Sequence, residues 1–273
     1  MLFISTSGVL GRHIALPPPI SILIRSFIAL IFITLFAVYK NYIFKINYKK
    51  HGAAILLSGF FMALHWITYF FSLQWSNVAI GMMALFTYPL MTVFLEPLFL
   101  NVQLQKRHFI LGFMVVLGIY FLVPKFDIEN SKTQGLLIGL LSAFAYSLRN
   151  LILKKHNAMA NGSFQMIYQL GVIILLLIPT IWLYPEVDII SQWPYLLILG
   201  LVTTALGHTL FLSSFSHFSI STASIMSSIQ PLFGILLGFI FLHEIPNIKS
   251  IFGGILILTT VLIENIYAKN SQV

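Results

Sequence analysis

A chain of 273 residues that is 59% hydrophobic, only 8% charged and has a mean hydropathy of +0.95 cannot hide its apolar surface in a water-soluble core, which leaves an integral membrane protein. The net charge of +8 is carried by loops suited to anionic lipid; no basic run is interleaved with aromatics outside the bilayer, so nucleic acid is excluded as a partner. Cysteine is absent, which excludes disulfides, thiolate metal sites and cysteine nucleophiles.

The first segment, Met1 to Leu16, carries Ser5-Thr6-Ser7, Gly8, Gly11 and Arg12 and is too short and too polar to span comfortably. It lacks the basic start and apolar block of a signal peptide, so the expectation is a short first helix or a start codon upstream. Leu16-Pro17-Pro18-Pro19 then forces an extended turn, and a second span runs from about Ile20 to Tyr39. Further apolar runs predict helices at about Gly52 to Leu73, Val78 to Leu100, Phe109 to Val123, Gly135 to Leu153, Phe164 to Tyr184, Pro194 to Ser214, Ser221 to Leu242 and Ser250 to Tyr267. Each approaches the length of about 20 residues that crosses a bilayer.

These segments number ten, five in each half of the chain, and the halves repeat. Thr87-Tyr88-Pro89 within Val78 to Val123 returns at Ile220 to Glu264 as Gln230-Pro231, and the same overlay brings Phe99-Leu100 onto Phe241-Leu242 and Gly112 onto Gly254. An odd number of spans per unit makes the second copy enter from the opposite side, the inverted-repeat arrangement of many secondary transporters. The predicted fold class is therefore an all-α membrane protein of ten transmembrane helices, as two inverted five-helix repeats (residues 1–124 and 135–268) around a central cavity. With the N-terminus cytoplasmic, the inner loops hold Lys40, Lys45, Lys49, Lys50, Lys106, Arg107, Lys154, Lys155 and Lys269, against Lys125, Lys132 and Lys249 outside. That asymmetry places both termini in the cytoplasm. Pro89 and Pro231 sit within apolar runs, where each removes a backbone donor and opens the helix locally; they are the candidate hinges.

Polar residues recur on single helix faces. His65, Tyr69 and Ser72 share one face of the third span; Tyr88, Thr92 and Glu96 share one of the fourth. The sixth span adds Ser142, Tyr146, Arg149 and Asn150, the seventh Tyr168 and Gln169, the eighth Thr204 and His208, the ninth Ser227, Ser228 and Gln230. Serine and threonine in membrane helices often bond only their own backbone or a neighbouring helix, so Thr92, Ser142 and Thr204 read first as structural. His65 and His208 hold nearly equivalent places in the two halves, each either a satisfied imidazole or a ligand and proton carrier. Arg12 and Arg25 lie in the outer third and Arg149 in the inner third. Such long side chains either snorkel to head groups or, for Arg12 or Arg25, face the cavity and attract an anionic group such as a carboxylate. Glu96 and Glu264 lie near inner helix ends, where one of them is expected to pair with Arg149. The candidate substrate-binding residues are thus Arg25, His65, Tyr69, Tyr88, Tyr146, Arg149, His208 and Gln230. No aspartate lies within a span, and there is no His-Glu-x-x-His, Walker or Gly-x-Ser-x-Gly motif, so neither an enzyme nor a metal or other cofactor site is expected.

Ser5-Thr6-Ser7-Gly8-Val9-Leu10-Gly11, Leu16-Pro17-Pro18, Arg25, the duplicated proline unit and Phe241-Leu242-His243-Glu244 together resemble the EamA family of the drug/metabolite transporter superfamily. The first helix is shorter than the family's, and Val102 stands where the second copy has Glu244, so no symmetric role is assigned to that glutamate. The resemblance implies a ten-helix bundle around a central cavity, working as a secondary transporter, often an exporter, in the cell (inner) membrane. The expected substrate is a small metabolite such as an amino acid or related organic acid. The other partners are the lipid bilayer and a proton as candidate coupling ion, with the chain a monomer or homodimer. The rival readings are an uptake or exchange carrier for a nucleoside or sugar, a channel, or a membrane-embedded enzyme.

Overall fold

In the computed structural model the described residues are 1–41, 48–123, 126–156, 162–214, 227 and 229–270, and they form helices and no strand. In chain order these are α1 (Leu2–His13), α2 (Pro18–Tyr39), α3 (Tyr48–Trp75), α4 (Val78–Leu85), α5 (Tyr88–Phe99), α6 (Lys106–Leu122), α7 (Ser131–His156), α8 (Gly162–Leu177) and α9 (Thr180–Leu183). A continuous stretch follows, with α10 (Trp193–Ile198), a π-helical segment (Leu199–His208) and α11 (Thr209–Ser214), and then α12 (Gln230–Leu242) and α13 (Ile248–Asn270). Lys45, Lys125 and most of Ser221 to Ser228, at the start of the expected ninth span, lie outside the described residues.

Among the described residues six stretches are long and apolar enough to cross a membrane: Pro18–Tyr39, His51–Trp75, Val78–Phe99, Ser131–Lys155, Trp193–Phe211 and Ile248–Tyr267. Phe164–Leu177 and Gln230–Leu242 are shorter apolar helices. Large apolar side chains stand outward on these elements, as with Phe27, Ile31, Phe32 and Leu35 of α2 and Phe109, Phe113, Val116 and Tyr120 of α6. Rows of this kind have no place in water and fit a hydrocarbon surround. The protein is a multi-pass membrane protein.

Local chemistry explains where the helices stop. α1 spans only about 18 Å at the usual rise per residue; the proline turn after it is held by Gln74 of α3, whose Nε2 donates to the carbonyls of Ile14 and Leu16 at 3.1 and 3.0 Å. Asn77 caps α4 by accepting from the Ile80 amide at 2.8 Å, and Gln105 with His108 forms a capping box at the start of α6. The seventh span, expected to be continuous from Phe164 to Tyr184, breaks instead after Leu177, because Pro179 supplies no N–H and disfavours helix at Ile178.

The two repeated prolines are placed differently from the expected mid-helix kinks. The fourth span is interrupted at Phe86-Thr87, and Pro89 lies in the first turn of α5, as Pro231 lies in the first turn of α12. A missing N–H is harmless in a first turn, where no intrahelical acceptor waits for it. Thr87 closes the interruption, since both its amide and its Oγ1 donate to the Ala84 carbonyl, at 3.3 and 2.7 Å.

The largest core cluster unites α1, α2, α3, α4, α8 and the π-helical stretch through residues such as Ile22, Trp66, Phe70, Met82, Leu170 and Leu199. At the other side α6 crosses α13 with almost no space between backbones: a Cβ on Gly118 would stand 2.9 Å from the Gly253 carbonyl oxygen. Small residues permit this approach in a membrane bundle.

Candidate functional site

Seven of the eight candidate binding residues converge on one internal cavity. Arg25 enters from α2, His65 and Tyr69 from α3, Tyr88 from α5, Tyr146 from α7, His208 from the end of the π-helical segment, and Gln230 from the start of α12. Arg149 is not in the wall but lies beside it, its Cζ 5.8 Å from the centre of the Tyr146 ring. The cavity measures about 40 Å³, room for about three waters and too little for a metabolite.

Arg25 is the most consequential side chain. It is 1% exposed; its Nε donates to Thr204 Oγ1 at 2.9 Å, its Cζ lies 4.1 Å over the Trp66 ring and 5.6 Å from that of Phe70, and its Nη2 has no hydrogen-bond partner. The π-helical winding positions the acceptor. Thr204 Oγ1 donates back to the Leu199 carbonyl five residues earlier, at 2.9 Å, so its lone pairs are aimed at Arg25. Gly200 brings this segment against α2, where a Cβ would stand 3.3 Å from the Arg25 carbonyl oxygen. Such windings concentrate at functional sites.

His65 is fixed by Ser142. The serine hydroxyl donates to the His65 carbonyl at 2.9 Å and meets His65 Nδ1 at 2.7 Å. A hydroxyl has one hydrogen, so the imidazole must donate from Nδ1, which leaves Nε2 as an acceptor. Rings continue the wall: His65 to Tyr146 at 4.5 Å, Tyr146 to Tyr88 at 4.8 Å, Trp66 to His208 at 5.7 Å between centroids. The serines and threonines read as structural are so engaged here, with Thr92 donating to the Tyr88 carbonyl at 2.8 Å and Ser142 and Thr204 as described.

Among the described residues no carboxylate lines the wall. Glu96 pairs with Lys154, Glu244 with Arg12 at 2.9 Å, and Glu264 with Arg107 at 3.6 Å and His108 at 3.5 Å; Asp127, Glu129, Glu186 and Asp188 are exposed. The expected pairing of Arg149 with Glu96 or Glu264 is therefore corrected: nearer cations hold both acids, and Arg149 instead donates to Gln169 Oε1 at 2.8 Å and Asn150 Oδ1 at 2.9 Å. Arg12 likewise faces Glu244 rather than the cavity. Glu244 also accepts from the Val78 amide at 2.8 Å, after His243 ends α12 in the left-handed region at φ 54°. Sequence reasoning missed Trp66 as the surface beneath Arg25; its place next to His65 was the available signal. Nothing in the sequence pointed to the Arg12–Glu244 pair.

Comparison with known proteins adds a family. The EamA-like transporter family profile matches residues 1–123 and again 133–265. The pseudopaline exporter CntI of Pseudomonas aeruginosa is 26% identical over 212 residues, 77% of this chain and 74% of that protein, in strain UCBPP-PA14. An uncharacterized transporter of Archaeoglobus fulgidus is 23% identical over 196 residues, covering 72% of this chain and 70% of that one. A protein of known crystal structure superimposes with a TM-score of 0.69 at 15% identity, over 98% of this chain and 95% of that one.

Proposed function

The chain belongs to the EamA-like transporter family, and on that premise we propose that it is a secondary active transporter that exports a small polar metabolite bearing an anionic group, an amino acid or related organic acid, across the cell (inner) membrane by alternating access. The observation that carries the substrate class is Arg25, a buried cation at the cavity wall with an unpartnered Nη2 and no carboxylate near it. A buried charge costs several kcal/mol unless something compensates it, about 2.5 to 3.5 kcal/mol even on lenient membrane scales. A substrate carboxylate is the natural compensation. The outward direction leans on the relative named as an exporter.

Ten spans in two inverted repeats, residues 1–124 and 135–268 with both ends cytoplasmic, are part of the same reading. The packing supports it. α1 lies against the π-helical stretch and α12 as α7 lies against α3 and the α4–α5 pair, while α2 packs on α8 and α6 on α13. Each partnership thus exchanges with its counterpart, or with itself, when the halves are swapped, as a pseudo-two-fold axis requires. The small cavity describes a closed arrangement, so loading requires the halves to part, and the helix break before Pro89, with Pro231 in the same first-turn position of α12, is where they would bend. His65 and His208 are the wall groups able to take up a coupling proton.

A thermal-shift screen of the purified protein tests the substrate class, because a ligand bound only by the folded state raises its apparent stability. Amino and organic acids are expected to raise Tm. Stabilisation by neutral nucleosides or sugars, with none by acids, would overturn the assignment.

A further inference from the structure

Arg25 is not the only buried cation without a counter-charge. Arg149, 6% exposed on α7, and Gln169, 1% exposed on α8, form a pair next to the cavity. The two acceptors held by Arg149, Gln169 Oε1 and Asn150 Oδ1, are neutral amide oxygens, and its Nε has no partner; neither does Gln169 Nε2. All seven carboxylates of the chain are accounted for elsewhere. The two guanidinium groups belong to one site. Tyr146 links them: its ring lies 4.5 Å from that of His65 in the cavity wall, and Arg149 Cζ lies 5.8 Å from its centre.

Three buried donors are therefore unsatisfied, Arg25 Nη2 in the cavity wall and Arg149 Nε with Gln169 Nε2 beside the Tyr146 ring that forms part of that wall, and neither cation has a counter-charge. A single carboxylate neutralises only one of them. We propose that the substrate is a dicarboxylate, one carboxylate held by Arg25 against Trp66 and the other by the Arg149–Gln169 pair, with Tyr146 shifting to let the second reach its donors. Each end offers one full positive charge, which matches the single charge of a carboxylate better than the charge of nearly two on a phosphate monoester. Arg149 Nε with Gln169 Nε2 gives one carboxylate two donors, and Arg25 Nη2 gives the other its own.

The proposal rests on the reading of Arg25 as an anion receptor and deepens it. Matched pairs of probes separate the two: L-glutamate with L-glutamine, and glutarate with its monoamide, each pair differing by one carboxylate at nearly constant shape. Dissociation constants measured on the purified full-length protein are expected to favour the diacid by about tenfold or more, the effect of one additional charge-assisted contact. Arg149→Met is expected to weaken the diacid by at least about tenfold more than its monoamide, and Arg149→Lys, which keeps the charge, to retain a diacid preference. If Arg149→Met does not fold, the wild-type preference and the Arg149→Lys result still decide. Equal affinity for diacid and monoamide in the wild type, or equal losses for both in Arg149→Met, overturns the dicarboxylate. If no probe of either kind binds, the anion-receptor reading falls with it.

Discussion

Arg25→Met removes the proposed anion receptor while leaving an apolar side chain of similar reach over Trp66. Without substrate two contributions are lost. The cation over the indole at 4.1 Å is worth about 1 to 2 kcal/mol in a desolvated site, and the bond to Thr204 at 2.9 Å about 1.5 kcal/mol or more. Thr204 stays satisfied through its bond to the Leu199 carbonyl, so no new buried orphan is made. Against these losses stands the release of an uncompensated buried cation, about 2.5 to 3.5 kcal/mol. The terms nearly cancel. The Tm of the substrate-free variant should fall within a few degrees of wild type, whereas affinity should drop by about 3 kcal/mol, roughly a hundredfold, as two charge-assisted bonds are lost. Thermal unfolding in detergent, with and without L-glutamate and glutarate, reads both quantities on one sample. A variant that loses several kcal/mol of stability yet keeps the ligand-induced shift would refute this, and would make Arg25 a structural cross-link between α2 and the π-helical segment.

Three further outcomes are expected. Pro89→Ala and Pro231→Ala should fold and bind near normally yet slow turnover, because restoring a donor favours helix continuing through each position; unchanged transport rates in both variants, measured after reconstitution, would exclude bending there. Glu244→Gln should lower stability by about 1 to 2 kcal/mol, since the carboxylate accepts from both Arg12 Nε and the Val78 amide, and unfolding should show it without change in ligand affinity; no loss of Tm would show that the pair contributes nothing. In this cysteine-free chain, a cysteine at Gln105 should label only from the cytoplasm and one at Asn130 only from outside; the reverse pattern in intact cells would invert the topology.

Much of the site was legible because membrane helices make polar residues conspicuous. His65, Tyr69, Tyr146 and His208 stood out in apolar runs, and helical spacing alone put His65 and Tyr69 on one face. Partners across the bundle were not legible. Which acid meets Arg149 depends on how helices distant in sequence cross, and Lys154 and Arg107 lie closer to Glu96 and Glu264. The π-helical turn also escaped, since Leu199–His208 reads like ordinary helix and its extra residue is favoured by the contact between Thr204 and Arg25. The prolines were found but placed wrongly within their helices: periodicity marks the apolar run, whereas the helix break depends on local bonds such as Thr87 to Ala84.

The most direct measurement is counterflow in proteoliposomes holding the purified protein and preloaded with the acid that gives the largest thermal shift. External labelled acid should accumulate transiently above its equilibrium level, with a rate that saturates and that Arg25→Met abolishes, because one cavity carries substrate in alternating directions. Flux that rises linearly with concentration and shows no overshoot would contradict an alternating carrier and describe a channel.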